Sequence, residues 1–104
     1  MSKRIALTDG SGKWFSEETA ECFKEETYHN GSNFISKATG NQFEHEAIYR
    51  TKGGRFILNH WSDWQGRKET YEGIDNETAA IWFSNNGLDP HPACEKEFNE
   101  LEIQ

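Results

Sequence analysis

Apolar and polar residues alternate on both sides of Lys52-Gly53-Gly54, and this is the strongest local signal in the chain. From Gln42 to Arg50, Phe43, His45, Ala47 and Tyr49 share one face of an extended segment. Past the glycines, Phe56, Leu58 and His60 do the same. A period of two around a glycine-rich turn predicts a β-hairpin. A two- or four-residue loop centred on Lys52-Gly53 sets Tyr49 opposite Phe56, Ala47 opposite Leu58 and His45 opposite His60. A three-residue loop sets the first strand's apolar residues against Ile57, Asn59 and Trp61 instead, and the first register is the one expected.

Lys3 to Leu7 reads as a short strand, Thr8-Asp9-Gly10-Ser11-Gly12 as a turn, and Lys13-Trp14-Phe15 as a returning strand. Ser16 followed by Glu17 and Glu18 has the form of a helix N-terminus. That predicts a helix to about Thr27, with Ala20, Phe23 and Thr27 inward, stopped by Asn30-Gly31. Asn33 to Lys37 fits a short strand and Thr39-Gly40-Asn41 a turn. Gln65-Gly66 ends the second hairpin strand, and Lys68 to Ile74 is the expected third. Asp75 then caps a helix carrying Ala79, Ala80, Trp82 and Phe83, closed by Asn86-Gly87. After the extended Asp89-Pro90-His91-Pro92, the residues Cys94, Phe98 and Leu101 have the spacing of a short amphipathic helix. No internal repeat is expected. The predicted class is α+β, an antiparallel sheet built on a three-stranded meander and packed by two or three short helices. One domain spans 1–104, with its core within about 3–87 and an acidic C-terminal segment at 88–104.

Composition narrows the function. Only 34% of the 104 residues are hydrophobic, yet 13% are aromatic, so a thin core rich in rings is expected rather than disorder. The net charge of -7 is uneven. Glu17, Glu18, Glu21, Glu25 and Glu26 outweigh Lys24 near the start. Asp89, Glu95, Glu97, Glu100 and Glu102 outweigh Lys96 near the end. The middle is mildly basic through Arg50, Lys52, Arg55, Arg67 and Lys68. Most of this molecule would repel a phosphate backbone, which argues against direct nucleic-acid binding and favours a basic protein partner. Met-Ser-Lys-Arg opens without the apolar stretch of a signal peptide, and no apolar run approaches the roughly 20 residues of a membrane span. With the two distant cysteines Cys22 and Cys94, a cytoplasmic setting is expected.

Three groups could carry chemistry. His45 and His60, if directly opposed across the hairpin, could share a metal with His29, Asp63 or Glu44 as a third ligand. No His-x-x-x-His or Cys-x-x-Cys spacing supports such a site, and no cofactor is expected. His60 with Asp63 could form an acid/base pair. No nucleophile elbow occurs and Gly10-Ser11-Gly12-Lys13 lacks phosphate-loop spacing, so no catalytic residue is assigned. Trp61, Trp64 and Tyr71, with Arg55, Arg67 and Lys68 nearby in sequence, have the composition of a protein-binding surface. Trp61 is expected beneath the helix Asn76–Asn85, and Trp64 at an interface.

The segments Gly54 to Gly66 (GRFILNHWSDWQG), Glu69 to Ile74 (ETYEGI) and Ala79 to Gly87 (AAIWFSNNG) resemble a group of small bacterial proteins without an assigned activity. Those proteins share a Gly-Arg-aromatic hairpin, a His-Trp-Ser-x-Trp-Gln-Gly segment and an Ala-Ala-x-Trp helix. The resemblance implies a common fold and brings no catalytic residue with it. The expected function is a non-enzymatic, acidic interaction or inhibitor protein, of the accessory kind encoded by phages and mobile elements, binding a partner through the Trp/Arg surface or an acidic helix. The alternative is a small-ligand or metal-binding domain using His45 and His60.

Overall fold

A computed structural model describes residues 3–64 and 66–103. Its order is β1 (Arg4–Ala6), β2 (Trp14–Ser16), β3 (Glu21–Lys24), β4 (Thr27–His29), β5 (Phe34–Ser36), β6 (Glu44–Arg50), β7 (Phe56–Ser62), β8 (Thr70–Ile74) and α1 (Asn76–Asn85). A 3-10 turn (Pro92–Cys94) and α2 (Glu95–Asn99) follow. The class is α+β with antiparallel sheets. The main sheet has four strands, ordered β3-β6-β7-β8, and two separate hairpins, β1-β2 and β4-β5, stand beside it.

The central hairpin forms in the other register. Arg50 pairs with Phe56, Tyr49 with Ile57 and His45 with Trp61. Thr51 N–H donates to Arg55 O at 2.9 Å, enclosing the three residues Lys52, Gly53 and Gly54. Gly54 takes φ 88, the left-handed conformation that follows a turn in three-residue hairpin loops. One extra loop residue slides the second strand and reverses which face each of its side chains meets.

The two faces of the sheet have different covers. Ile48, Phe56, Leu58 and Ile74 pack beneath α1, whose Ala79, Ala80, Trp82 and Phe83 are buried. Phe23 of β3 meets Phe83 edge-on at 5.3 Å. Asp75 caps α1 by accepting the Thr78 N–H at 2.8 Å. At its other end the buried Asn86 donates to Trp82 O and accepts from Glu26 N–H, tying the helix to the loop after β3. Cys94 is fully buried in the same core, which therefore extends past residue 87 into the segment expected to lie outside it. On the opposite face the β1-β2 hairpin lays Ile5 and Phe15 over Ile57, with Tyr49 and Tyr71 at the margin.

The predicted helix from Ser16 to Thr27 is replaced by the end of β2, a turn, and the strands β3 and β4. Its inward stripe was sparse, since Ala20 and Phe23 offer little area to hold a helix against the core. As a strand, the same stretch gains β6 as a partner, with Phe23 opposite Ile48. Tertiary pairing overrides the helical preference of the glutamates. A repeat, not expected, also emerges: Ser16-x-x-Thr19-x-x-x-Phe23 recurs as Ser36-x-x-Thr39-x-x-x-Phe43. Each copy follows a two-stranded hairpin whose last strand buries its middle residue, Phe15 or Ile35, and exposes the one before it, Trp14 or Phe34.

Candidate functional site

The face of the sheet away from α1 carries two distinct clusters, one at each end of the central hairpin. At the end far from the glycine turn, alternation places His45 and Trp61 side by side, with rings stacked at 5.6 Å. His45 Nδ1 lies 2.7 Å from Glu25 Oε2, and Nε2 lies 2.8 Å from Asp63 Oδ2. Both contacts can be hydrogen-bond donations only when the ring is protonated, because a neutral imidazole has one N–H. Burial of the ring pulls its pKa down, but the bonds to Glu25 and Asp63 outweigh this and hold it above the usual 6.5.

Glu25 is the anchor of this cluster. Its Oε1 accepts the Ser36 hydroxyl at 2.7 Å and the Glu46 N–H at 2.6 Å. One carboxylate thus joins the β4-β5 hairpin to the main sheet. A helix over 16–27 with Ala20, Phe23 and Thr27 inward would turn Glu25 to solvent. Only the pairing of β3 with β6, invisible in local pattern, could have revealed its role.

His60 points to the opposite face, because its strand partner is Glu46. Its ring nitrogens lie 3.2 Å from Glu46 and 3.3 Å from Glu44, and Glu44 also meets Arg67 at 3.5 Å. The expected His45–His60 pair is therefore divided by the sheet and cannot share one ligand. The His60–Asp63 pair is likewise not formed: the Asp63 carboxylate goes to His45. No group of three or more His, Cys, Asp or Glu among the described residues is arranged to hold a metal ion.

The expected Trp/Arg surface is divided too. Trp64 is 56% exposed and rests against Phe43 at 4.8 Å, with its backbone N–H held by Ser62 Oγ. Trp61 lies nearby, half-buried on the face that α1 does not cover, which corrects its expected place under that helix. Arg67 reaches Glu44 at the same end. Arg55 sits at the other end of β7, roughly 20 Å away at about 3.3 Å per residue. Tyr71 lies between, its hydroxyl donating to Glu69 Oε1 at 3.0 Å, while Glu69 also accepts from the buried Asn59. Burial and the neighbouring Glu69 push the Tyr71 phenol well above its ordinary value. Tyr49, pushed up to about 12 by burial and by Cys22, is likewise un-ionised in neutral solution. Neither phenol can serve as a base.

At the glycine-turn end, β2 and the residues 51–57 border a cleft of about 270 Å³ that local pattern did not reveal. No family model matches this chain, and no curated protein or solved structure matches it. Among the described residues no helix is long and apolar enough to cross a membrane.

Proposed function

We propose that this is a non-enzymatic protein-binding module, and that its partner docks on the end of the sheet formed by Trp64, Phe43, Trp61 and Arg67. The carrying observation is Trp64. It is held in place from below by Phe43 yet keeps more than half of its surface in water. A large ring fixed in one orientation and left wet loses little entropy on docking, and tryptophan and arginine dominate the energetics of interfaces. Asp63 stands beside these rings through its bond to His45, and Glu44 lies at the same end under Arg67, so a partner with basic side chains around an apolar pocket fits this end.

Three further points support the reading. The histidines and carboxylates of the site are bonded to one another, so among the described residues no nucleophile with an adjacent free base is presented there. The likeness to small bacterial proteins without assigned activity suggests no catalytic residue. A cytoplasmic setting belongs to the same proposal, since two free thiols suit a reducing compartment. An inhibitor that imitates nucleic-acid charge is less well supported. The acidic residues Glu17, Glu18 and Glu21 lie on a turn and an edge strand rather than along a helix.

The test is affinity capture from a bacterial lysate with the wild-type chain and with Trp64→Ala/Arg67→Ala. A partner retained by the first and lost by the second supports the surface. Equal recovery by both rejects it.

A further inference from the structure

The cleft at the glycine-turn end combines an apolar floor with a cationic rim in a chain of net charge -7. The buried Phe15 and Ile57 and the half-buried Leu7 form the floor, and the exposed Trp14 indole forms a wall. Lys13, Lys52 and Arg55 stand at the edge, all exposed, and among the described residues no carboxylate lines the cleft. Among the described residues neither Lys52 nor Arg55 has an ion-pair partner, while Asp9 lies close enough to Lys13 to feel its charge. An adjoining open cleft shares Leu7, Lys13, Arg55 and Ile57 and brings in Asp9 and Asp75, so the anion preference belongs to the Trp14 side. Ser16 Oγ, in the wall, is buried without a hydrogen-bond partner among the described residues. Arg4 lies over the Trp14 ring at 4.9 Å and steadies it.

We propose that this cleft binds a small organic anion with a flat apolar body, its ring against Trp14 and the floor and its carboxylate or phosphate between Lys52 and Arg55. The volume suits a ligand of one or two fused rings, at the lower end of ordinary small-molecule sites. The anionic group supplies the counter-charge that these two cations lack in the protein. Stacking on an aromatic wall is tolerant of ring identity, so the class is set by shape and charge rather than by a hydrogen-bond code.

The probes are naphthoate, naphthyl phosphate and neutral naphthol, titrated into the full chain while backbone amide NMR shifts are followed. The expected result is saturable shifts at Lys13–Thr19 and Thr51–Arg55 with either anion, and binding of naphthol weaker by about tenfold or more. A preference for the carboxylate or for the phosphate identifies which head group the site takes. Lys52→Glu/Arg55→Glu, at two exposed turn positions, should weaken both anions by about tenfold or more, and Trp14→Ala should do likewise. Lys96→Glu, an exposed position on α2 away from the cleft, should change nothing here. Shifts elsewhere or none at all, equal binding of naphthol, or undiminished binding by the charge-reversed chain overturns the proposal. Capture of an acidic peptide at these amides with no binding of either naphthyl anion overturns it as well, since the cleft would then serve protein docking.

Discussion

Replacing His45 with Gln should make the stability of this protein less dependent on pH, and the direction follows from the geometry. The imidazolium donates to Glu25 at 2.7 Å, where the two side chains are 19% and 9% exposed. A hydrogen bond to a charged group in such a place contributes about 1.5–3 kcal/mol. The Asp63 bond, at 2.8 Å, involves a carboxylate that is 57% exposed and is discounted for screening to below about 1 kcal/mol. Ring burial is the largest single effect and opposes both bonds, so the protonated state keeps only part of this, on the order of 1 kcal/mol. The folded pKa lies above 6.5, so His45 is protonated in both folded and unfolded chains below that value and its contribution is complete. As pH rises through the folded pKa the ring loses its proton and that stabilisation disappears. Urea unfolding of wild type and His45→Gln at about pH 5 and about pH 9 measures the difference. The wild-type advantage should be on the order of 1 kcal/mol at the lower pH and shrink at the higher. A gap that stays constant or widens with pH would refute the assigned bonding.

Two other expectations concern the fold. Gly54→Ala should cost about 1–2 kcal/mol in urea unfolding, because φ 88 disfavours a side chain and the new Cβ would lie 3.1 Å from Arg50 Nη2. Gly53→Ala, with open space around it and an ordinary φ, should be nearly neutral; equal costs at the two positions would contradict the three-residue loop. A thiol reagent should label Cys22 quickly in the native protein and reach Cys94 only on unfolding, because Cys94 is fully buried and burial pushes its thiol pKa up. Rapid loss of both thiols under native conditions would show that the core does not extend to the C-terminal segment.

The features legible in the sequence were those written in local chemistry. Asp75, the Ala79-Ala80-Trp82-Phe83 set and Gly87 mark α1 from end to end, and capping and periodicity there agree. Alternation marked β6 and β7 as strands, and the turn between them contains the glycines. It could not say which glycine adopts positive φ, and that choice sets the register. The misplacement of Trp61 and His60 follows from it: shifting β7 by one position moved Trp61 to the side of His45 and sent His60 to the far face. The missed strands β3 and β4 have a different origin. Ser16, Glu17 and Glu18 satisfy a helix start locally, and only the distant β6 supplies the partner that makes this stretch extended. Glu25 depends on that same long-range pairing and the Trp14 cleft on the packing of the β1-β2 hairpin over Ile57, so no local pattern points to them.

The β4-β5 hairpin forms its own two-stranded sheet, and its polar ties to the rest include the Ser36–Glu25 bond and, at its base, the link from Glu26 N–H to Asn86 Oδ1. It is fastened like a shutter on few pins, so this flap can swing out without unzipping the central ribbon. The exposed rings of Tyr28 and Phe34 ride upon it. Amide hydrogens in residues 27–36 should therefore exchange as a group, ahead of those in β6 and β7, through a local opening that leaves the helix-covered core closed.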